Sequence, residues 1–195
     1  MDKNWAAGLA NLKIHFVGIG GSGMSGIARV MAARGARISG SDLHDSTSLD
    51  GLRTLDFRIH LGHNASNVAG ADLVVCSSAI ADSNPEIRAA IEFGIPVIGR
   101  AEALAALLIG KRSVAVAGTH GKTTTTSMLT VALQRSGLDP SFAIGASIRN
   151  SGTNAHHGSG DIFVVEADES DGSFTSYHPA GAIITNIELD HVDNF

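Results

Sequence analysis

The sequence predicts an α/β protein of two successive parallel-sheet units, and three observations carry that prediction. Short apolar runs of strand length alternate with segments of helical periodicity. Glycine is abundant, at 23 of 195 residues, which suits tight turns between strands and helices. Two of the strand-like runs lead straight into glycine-rich loops that open helices, GIGGSG at 18–23 and GTHGKT at 118–123.

Taken in order, KIHFVG (13–18) is the first strand, and the helix after its loop carries Met24, Ile27, Ala28 and Met31 on one face. ARISGSD (36–42), RIHLG (58–62), DLVVCSS (72–78) and IPVIG (95–99) read as further strands. Between the last two, NPEIRAAIEFG offers Asn84 as a cap, Pro85 at the first helical position and Gly94 as a stop. Such βα repeats imply a parallel, Rossmann-like sheet. A helical segment, RAEALAALLIGK (100–111), leads to SVAVAG (113–118), which starts a second sheet. The domain boundary is therefore expected near 110–112, giving domains 1–111 and 112–195. The next helix, KTTTTSMLTVALQRSG, groups Leu129, Ala132 and Leu133 and stops at Gly137. DIFVVEAD (161–168) and AGAIITNIELDH (180–191) are apolar strands that end in polar, acidic residues, while NSGTNAHHGSGD (150–161) reads as an exposed loop with His156 and His157 solvated. The second unit is thus a P-loop-type α/β domain.

Composition narrows the function. Lys and Arg number 14 against 19 acidic residues, so a net charge of -5 gives no general attraction for nucleic acid or an acidic membrane. Any phosphate must be caught locally. Cys76 is the only cysteine, which rules out an internal disulfide and points to a reducing compartment. MDKNWAAGLANLK lacks the apolar core of a signal peptide, and the longest apolar run, ALAALLI (103–109), is too short to span a bilayer. These features predict a soluble, cytoplasmic protein.

Gly18, Gly20 and Gly23 form G-x-G-x-x-G between a strand and a helix, with Asp42 roughly 20 residues on at the end of the next strand. Glycines there let a pyrophosphate approach the positive end of the helix, and an acid at the second strand end can bind a ribose hydroxyl. The pattern leaves open whether the ligand is NAD, FAD or another nucleotide diphosphate. The context favours a diphosphate site over glycines that only permit close packing. The second loop is more specific: Lys122 supplies a charge for the β- and γ-phosphates, Thr123 a hydroxyl for Mg²⁺, and Gly118 to Thr124 a row of backbone N–H groups. It is shorter than the usual P-loop, since only Thr119 and His120 separate Gly118 from Gly121. A triphosphate site needs acids for its metal, and Glu166 is the best candidate because IFVV carries it to the carboxyl end of the sheet where the loop opens. Asp168, Glu169 and Asp171 follow in what can equally be a solvated acidic turn, and His191, beside Asp190, is a candidate further ligand.

The collinear set HFVGIGGSGMSGIA, SGSD, SSAI, AGTHGKTTTT, EADESDGSF and TNIELDH resembles the Mur ligases of peptidoglycan synthesis over residues 12–195. G-T-x-G-K-T is that family's short form of the P-loop, and GIGGSGMSGIA favours the member that adds L-alanine over the one that recycles murein peptides. The resemblance implies that Gly18, Gly20, Gly21, Ser22 and Gly23 hold the diphosphate of UDP-N-acetylmuramate, with Asp42, Ser77 and Ser78 as helpers. It implies ATP on Gly118, Thr119, His120, Gly121, Lys122, Thr123 and Thr124, and Mg²⁺ on Thr123, Glu166 and His191, with Lys122, Glu166 and His191 catalytic. L-Alanine would be the second substrate. Family members have three domains, so the resemblance also implies that the second domain is truncated at Phe195 and that this piece alone is inactive. Two rival readings remain: a nicotinamide-dependent oxidoreductase or regulator, and a nucleotide-sugar-binding module without ligase activity.

Overall fold

A computed structural model describes residues 5–149, 151–167 and 173–188. The chain divides into two compact units, Met1–Ala106 and Leu107–Phe195, and the division falls within a helix, Arg100–Leu108.

The first unit is a five-stranded parallel sheet with helices in the connections. In chain order its elements are β1 (Lys13–Val17), α1 (Ser22–Ala33), β2 (Arg37–Asp42), α2 (Thr47–Arg53), β3 (Arg58–Leu61), β4 (Leu73–Cys76), α3 (Pro85–Glu92), β5 (Val97–Gly99) and α4 (Arg100–Leu108). The strand order is β3-β2-β1-β4-β5, with every pair parallel. The chain reverses direction of travel at β1, so the carboxyl end of β1 lies at the switch point where open parallel sheets hold ligands. Met24, Ile27, Ala28 and Met31 of α1 are buried, as their spacing predicts. Asn84 accepts the Glu86 N–H at 2.9 Å to cap α3, and Gly94 leaves it at φ +69°.

The sequence reading missed α2, a seven-residue helix whose Ser46 side chain accepts the Leu49 N–H. It also gave no reason for a glycine inside β2. A Cβ at Gly40 would stand 2.6 Å from Ile19 Cδ1 and 2.8 Å from the Phe16 carbonyl. The missing side chain is the room into which Ile19, from the first glycine loop, packs.

The second unit contains β6 (Arg112–Ala117), α5 (Lys122–Arg135), β7 (Ser141–Ile148), β8 (Thr153–His156), β9 (Ile162–Glu166) and β10 (Gly181–Ile184). Its strand order is β10-β6-β9-β7-β8, parallel except for the antiparallel β7–β8 pair. Phe142 and Phe163 are fully buried, each contributing ~1.5–3 kcal/mol by removal from water.

The structure corrects three expectations in this unit. Residues 141–148 form a strand that the sequence does not announce, and the stretch read as an exposed loop contains its partner β8, with Asn154 and Ala155 buried. Of the adjacent histidines, His156 is exposed as expected, with Nε2 3.0 Å from Asp139 Oδ1, while His157 is half-buried, with Nδ1 3.3 Å from Ser141 Oγ. On α5 Leu129 and Leu133 face the core as expected, but Val131 joins them in place of Ala132. Leu129, Val131 and Leu133 pack against Phe142, Ile144 and Val164, while Ala132 is exposed. Thr126 and Thr130 are fully buried because their hydroxyls donate to the carbonyls of Lys122 and Thr126, each at 2.8 Å. Among the described residues no helix is long and apolar enough to cross a membrane.

Candidate functional site

Each unit presents a glycine loop at the carboxyl end of its leading strand. In the first unit Gly18 takes φ +80°, and the N–H groups of Gly18 and Ile19 both donate to the Ser41 carbonyl, at 2.9 and 3.0 Å. The Gly20 N–H donates to Asp42 Oδ2 at 2.8 Å, and a Cβ on Gly20 would come equally close to that oxygen. Asp42 therefore braces the loop as well as ending β2. Gly21 caps α1 without a side chain, so the positive end of the helix is uncovered by any capping group. Ser22 begins the helix and Gly23 lies under Arg100, whose Nη1 would be 2.9 Å from a Cβ there. Ser77 packs against Gly18 and donates its N–H to the Val17 carbonyl at 3.1 Å; Ser78 is exposed in the following turn. All eight residues singled out in this half thus belong to one strand-end cluster or its immediate turn.

The second loop is built differently. Gly118 (φ +132°) and Gly121 (φ +82°) both use backbone conformations closed to most side chains. A Cβ on Gly118 would also strike Thr185 Oγ1 and the backbone of Asn186. The segment 185–188, read from sequence as part of a strand, is instead a strap across the loop. Asn186 takes the His120 N–H on its side-chain oxygen at 2.8 Å and the Thr119 N–H on its carbonyl at 3.3 Å. The Thr185 hydroxyl donates to the His120 carbonyl at 2.6 Å, and the Glu188 N–H donates to Thr119 Oγ1 at 3.0 Å. Two N–H groups of the expected phosphate cradle are thereby committed to the strap. The anion-facing part is the first turn of α5, Lys122 to Thr124, behind the bare cap Gly121. Lys122 Nζ folds back onto the carbonyls of Gly118 (2.8 Å) and Thr119 (3.4 Å), which keeps its ammonium at the loop mouth.

Glu166 stands at the end of β9, level with Val116 of β6. Its Oε2 accepts the Gly145 N–H at 2.9 Å, whereas Oε1 is buried with no hydrogen-bond partner among the described residues. A Cβ on Gly145 would lie 2.8 Å from Glu166 Oε2 and 3.8 Å from Thr123 Oγ1. The hydroxyl and the carboxylate therefore flank one small space that only glycine leaves open. A hydroxyl beside a carboxylate whose other oxygen, Oε1, is unpartnered among the described residues is a hard-oxygen set that suits a divalent cation of the Mg²⁺ type. His191 lies outside the described residues, as do Asp168, Glu169, Asp171 and Asp190. Sequence reasoning missed Gly145, because β7 was not read, and Asn186. The polar pair Thr-Asn directly after the apolar run GAII was the available signal for the strap.

Comparison with known proteins agrees with this arrangement. A family model described as "Mur ligase family, catalytic domain" matches residues 13–112, and one described as "Mur ligase middle domain" matches 116–195. A UDP-N-acetylmuramate–L-alanine ligase from a Nocardioides species is 56% identical over 183 residues, which cover 94% of this chain and 41% of that protein. The crystal structure of a UDP-N-acetylmuramate–alanine ligase from Thermotoga maritima superimposes with a TM-score of 0.90 at 36% identity, covering 94% of this chain and 43% of the other. That of a UDP-N-acetylmuramate:L-alanyl-γ-D-glutamyl-meso-diaminopimelate ligase from Neisseria gives 0.88 at 32%, covering 95% of this chain and 64% of the other. The chain spans about two fifths of the length of the curated relatives it matches. With two family models lying end to end along nearly the whole sequence, and both glycine loops standing at strand ends in an α/β fold, the chain belongs to the Mur ligase family.

Proposed function

We propose that this chain is the amino-terminal part of an ATP-dependent ligase that joins L-alanine to UDP-N-acetylmuramate in peptidoglycan synthesis. Residues 1–111 would form the UDP-N-acetylmuramate-binding domain and 112–195 the start of the ATP-binding domain. The observation that carries the reading is the Glu166 carboxylate, whose Oε1 has no partner among the described residues and whose Oε2 lies with the Thr123 hydroxyl around Gly145, beside a lysine-bearing loop. Such a constellation suits a nucleoside triphosphate with its cation and has no use in a nicotinamide enzyme. The choice of L-alanine rests on the name of the 56%-identical relative.

In this reading Gly18 to Gly23 receive the diphosphate at the positive end of α1, with Asp42, Ser77 and Ser78 shaping the loop's surroundings. ATP lies on the second loop, whose Thr119 and His120 are held in place by the strap while the first turn of α5 faces the phosphates. Lys122 leaves the Gly118 carbonyl to neutralise charge on the γ-phosphoryl group as it transfers. Thr123, Glu166 and His191 would hold Mg²⁺, which would supply charge neutralisation for the transferring phosphoryl group. The lactyl carboxylate attacks the γ-phosphorus and ADP departs, leaving an acyl phosphate. The L-alanine amine then attacks the acyl carbon, and phosphate leaves as the amide forms. The test is phosphate release by the full-length protein. It should require ATP, UDP-N-acetylmuramate and L-alanine together; release indifferent to L-alanine, or tight NAD binding in place of the UDP-sugar, would refute the assignment.

A further inference from the structure

The first unit buries a carboxylate that the proposed reaction does not use. Glu86, in the first turn of α3, has no solvent exposure. Its Oε2 accepts the Ser41 hydroxyl at 2.5 Å and lies 3.2 Å from His63 Nδ1 and 3.5 Å from His15 Nε2. Its Oε1 accepts from the Asn67 side-chain amide at 2.6 Å and from the Asn64 N–H at 3.3 Å. Burial by itself pushes the carboxyl pKa up, but the nearby His15 imidazole and the hydrogen bonds from Ser41 and Asn67 outweigh it and hold the group down at about 2. The interior therefore contains a charge, on the same helix as Ile87, Ala89 and Ala90 of the apolar cluster. An apolar side chain would cost less to bury there.

What the carboxylate holds is Ser41. The Ser41 carbonyl receives the N–H groups of Gly18 and Ile19, and the neighbouring Asp42 carboxylate receives that of Gly20. Three consecutive N–H groups of the first glycine loop hang on the Ser41–Asp42 dipeptide. The Ser41 side chain is the tie from that dipeptide to α3: its hydroxyl donates to Glu86, and His63 Nδ1, itself against Glu86, lies 2.9 Å from the same oxygen. We propose that Glu86 is a positioning residue for ligand binding by the glycine loop, acting through Ser41; this rests on the reading of Gly18 to Gly23 as the diphosphate loop. A hydrogen bond to an ionised acceptor is about twice as strong as a neutral one. The charge thus fixes the Ser41 side chain, and through its peptide the loop, in the ligand-free protein.

The test uses the full-length protein, with calorimetric affinities for UDP-N-acetylmuramate and for ATP. Glu86→Gln keeps the shape but must turn an amide N–H₂ toward either Ser41 or Asn67, both of which donate. Glu86→Gln and Ser41→Ala should each weaken UDP-N-acetylmuramate by about tenfold and leave ATP within about twofold, and the double variant should be no worse than either single. A merely structural role would lower the melting temperature of the variants and leave the UDP-sugar affinity unchanged. Should Glu86→Gln fail to fold, the affinity of Ser41→Ala decides. Gly20→Val is the control. If it abolishes UDP-sugar binding while the other two variants bind as wild type, the positioning role is overturned and the loop assignment stands. If Gly20→Val also binds as wild type, the loop assignment falls and the positioning role falls with it.

Discussion

Replacing Gly145 by alanine probes the Thr123–Glu166 space with a single methyl group. Gly145 lies in strand β7, where an alanine backbone is unstrained, and it is exposed, so global stability should change by less than ~1 kcal/mol. The local effect is larger. The new Cβ would stand 2.8 Å from Glu166 Oε2, well inside van der Waals contact, and 3.8 Å from Thr123 Oγ1. The carboxylate must swing away, losing the 2.9 Å bond from the Gly145 N–H and its alignment with Thr123. A hydrogen bond to a charged group contributes ~1.5–3 kcal/mol, so kcat should fall roughly 10- to 100-fold. The assay is ATP-dependent phosphate release by the full-length protein over a Mg²⁺ titration, with UDP-sugar affinity measured alongside. A raised Mg²⁺ requirement and unchanged UDP-sugar affinity are expected. Wild-type kcat at wild-type Mg²⁺ half-saturation would refute the idea that Glu166 and Thr123 share a cation.

Other perturbations separate the two loops. Lys122→Ala should cost at least ~3 kcal/mol of transition-state stabilisation, a hundredfold or more in kcat, with UDP-sugar binding intact; activity within a few-fold of wild type would remove Lys122 from the chemistry. Gly20→Val drives a side chain against Asp42 Oδ2 and Leu49, and should abolish UDP-N-acetylmuramate binding without weakening ATP, which calorimetry can check directly. Asn186→Ala removes the acceptor of the His120 N–H and should raise the KM for ATP several-fold, since a net hydrogen bond is worth ~0.5–1.5 kcal/mol; an unchanged KM would show that the strap does not shape the loop. Acid should act through Glu86. Its folded pKa, about 2, lies below its ordinary 4.5, so its contribution of roughly 3 kcal/mol is fully present above pH 4.5 and is lost as pH falls toward 2. Urea midpoints measured across that window should drop more for wild type than for Glu86→Gln; equal drops would contradict a charged Glu86.

Both glycine loops are legible because their geometry is written in consecutive residues. Glycines at fixed spacing after an apolar run specify a strand end, a tight turn and an uncapped helix, and Lys122 has no other ready explanation. The β7–β8 pair is not legible for the opposite reason. SFAIGASI mixes small and polar residues with few large ones, and the Asn-Ser-Gly-Thr run at 150–153 resembles an ordinary loop; what makes these residues strands is the edge of β9, supplied from farther along the chain. The buried threonines of α5 have a similar origin. Threonine is read as polar, but inside a helix its hydroxyl can donate to the carbonyl one turn earlier, so Thr126 and Thr130 enter the core where only Leu129 and its apolar neighbours are expected to lie.

Glu86 shows the limit most clearly, because the local signals around it are all read correctly. Asn84, Pro85 and Gly94 fix the helix, and an acid in a first helical turn is ordinary on electrostatic grounds alone. Nothing in PEIRAAIE says that the acid faces inward. That follows from three other segments, β1, β2 and the stretch 63–67, which bring His15, Ser41, His63, Asn64 and Asn67 to the same point. A buried charge is tolerable only when such partners converge, and convergence is a property of topology, not of spacing. The same topology puts Ser41 beside Val17 at the carboxyl end of β1, one residue before the acid that braces the glycine loop. The first turn of α3 and the dipeptide that braces the glycine loop look independent in the sequence but are joined by the Ser41–Glu86 hydrogen bond, and it is there that a substitution remote from any ligand should be felt in binding.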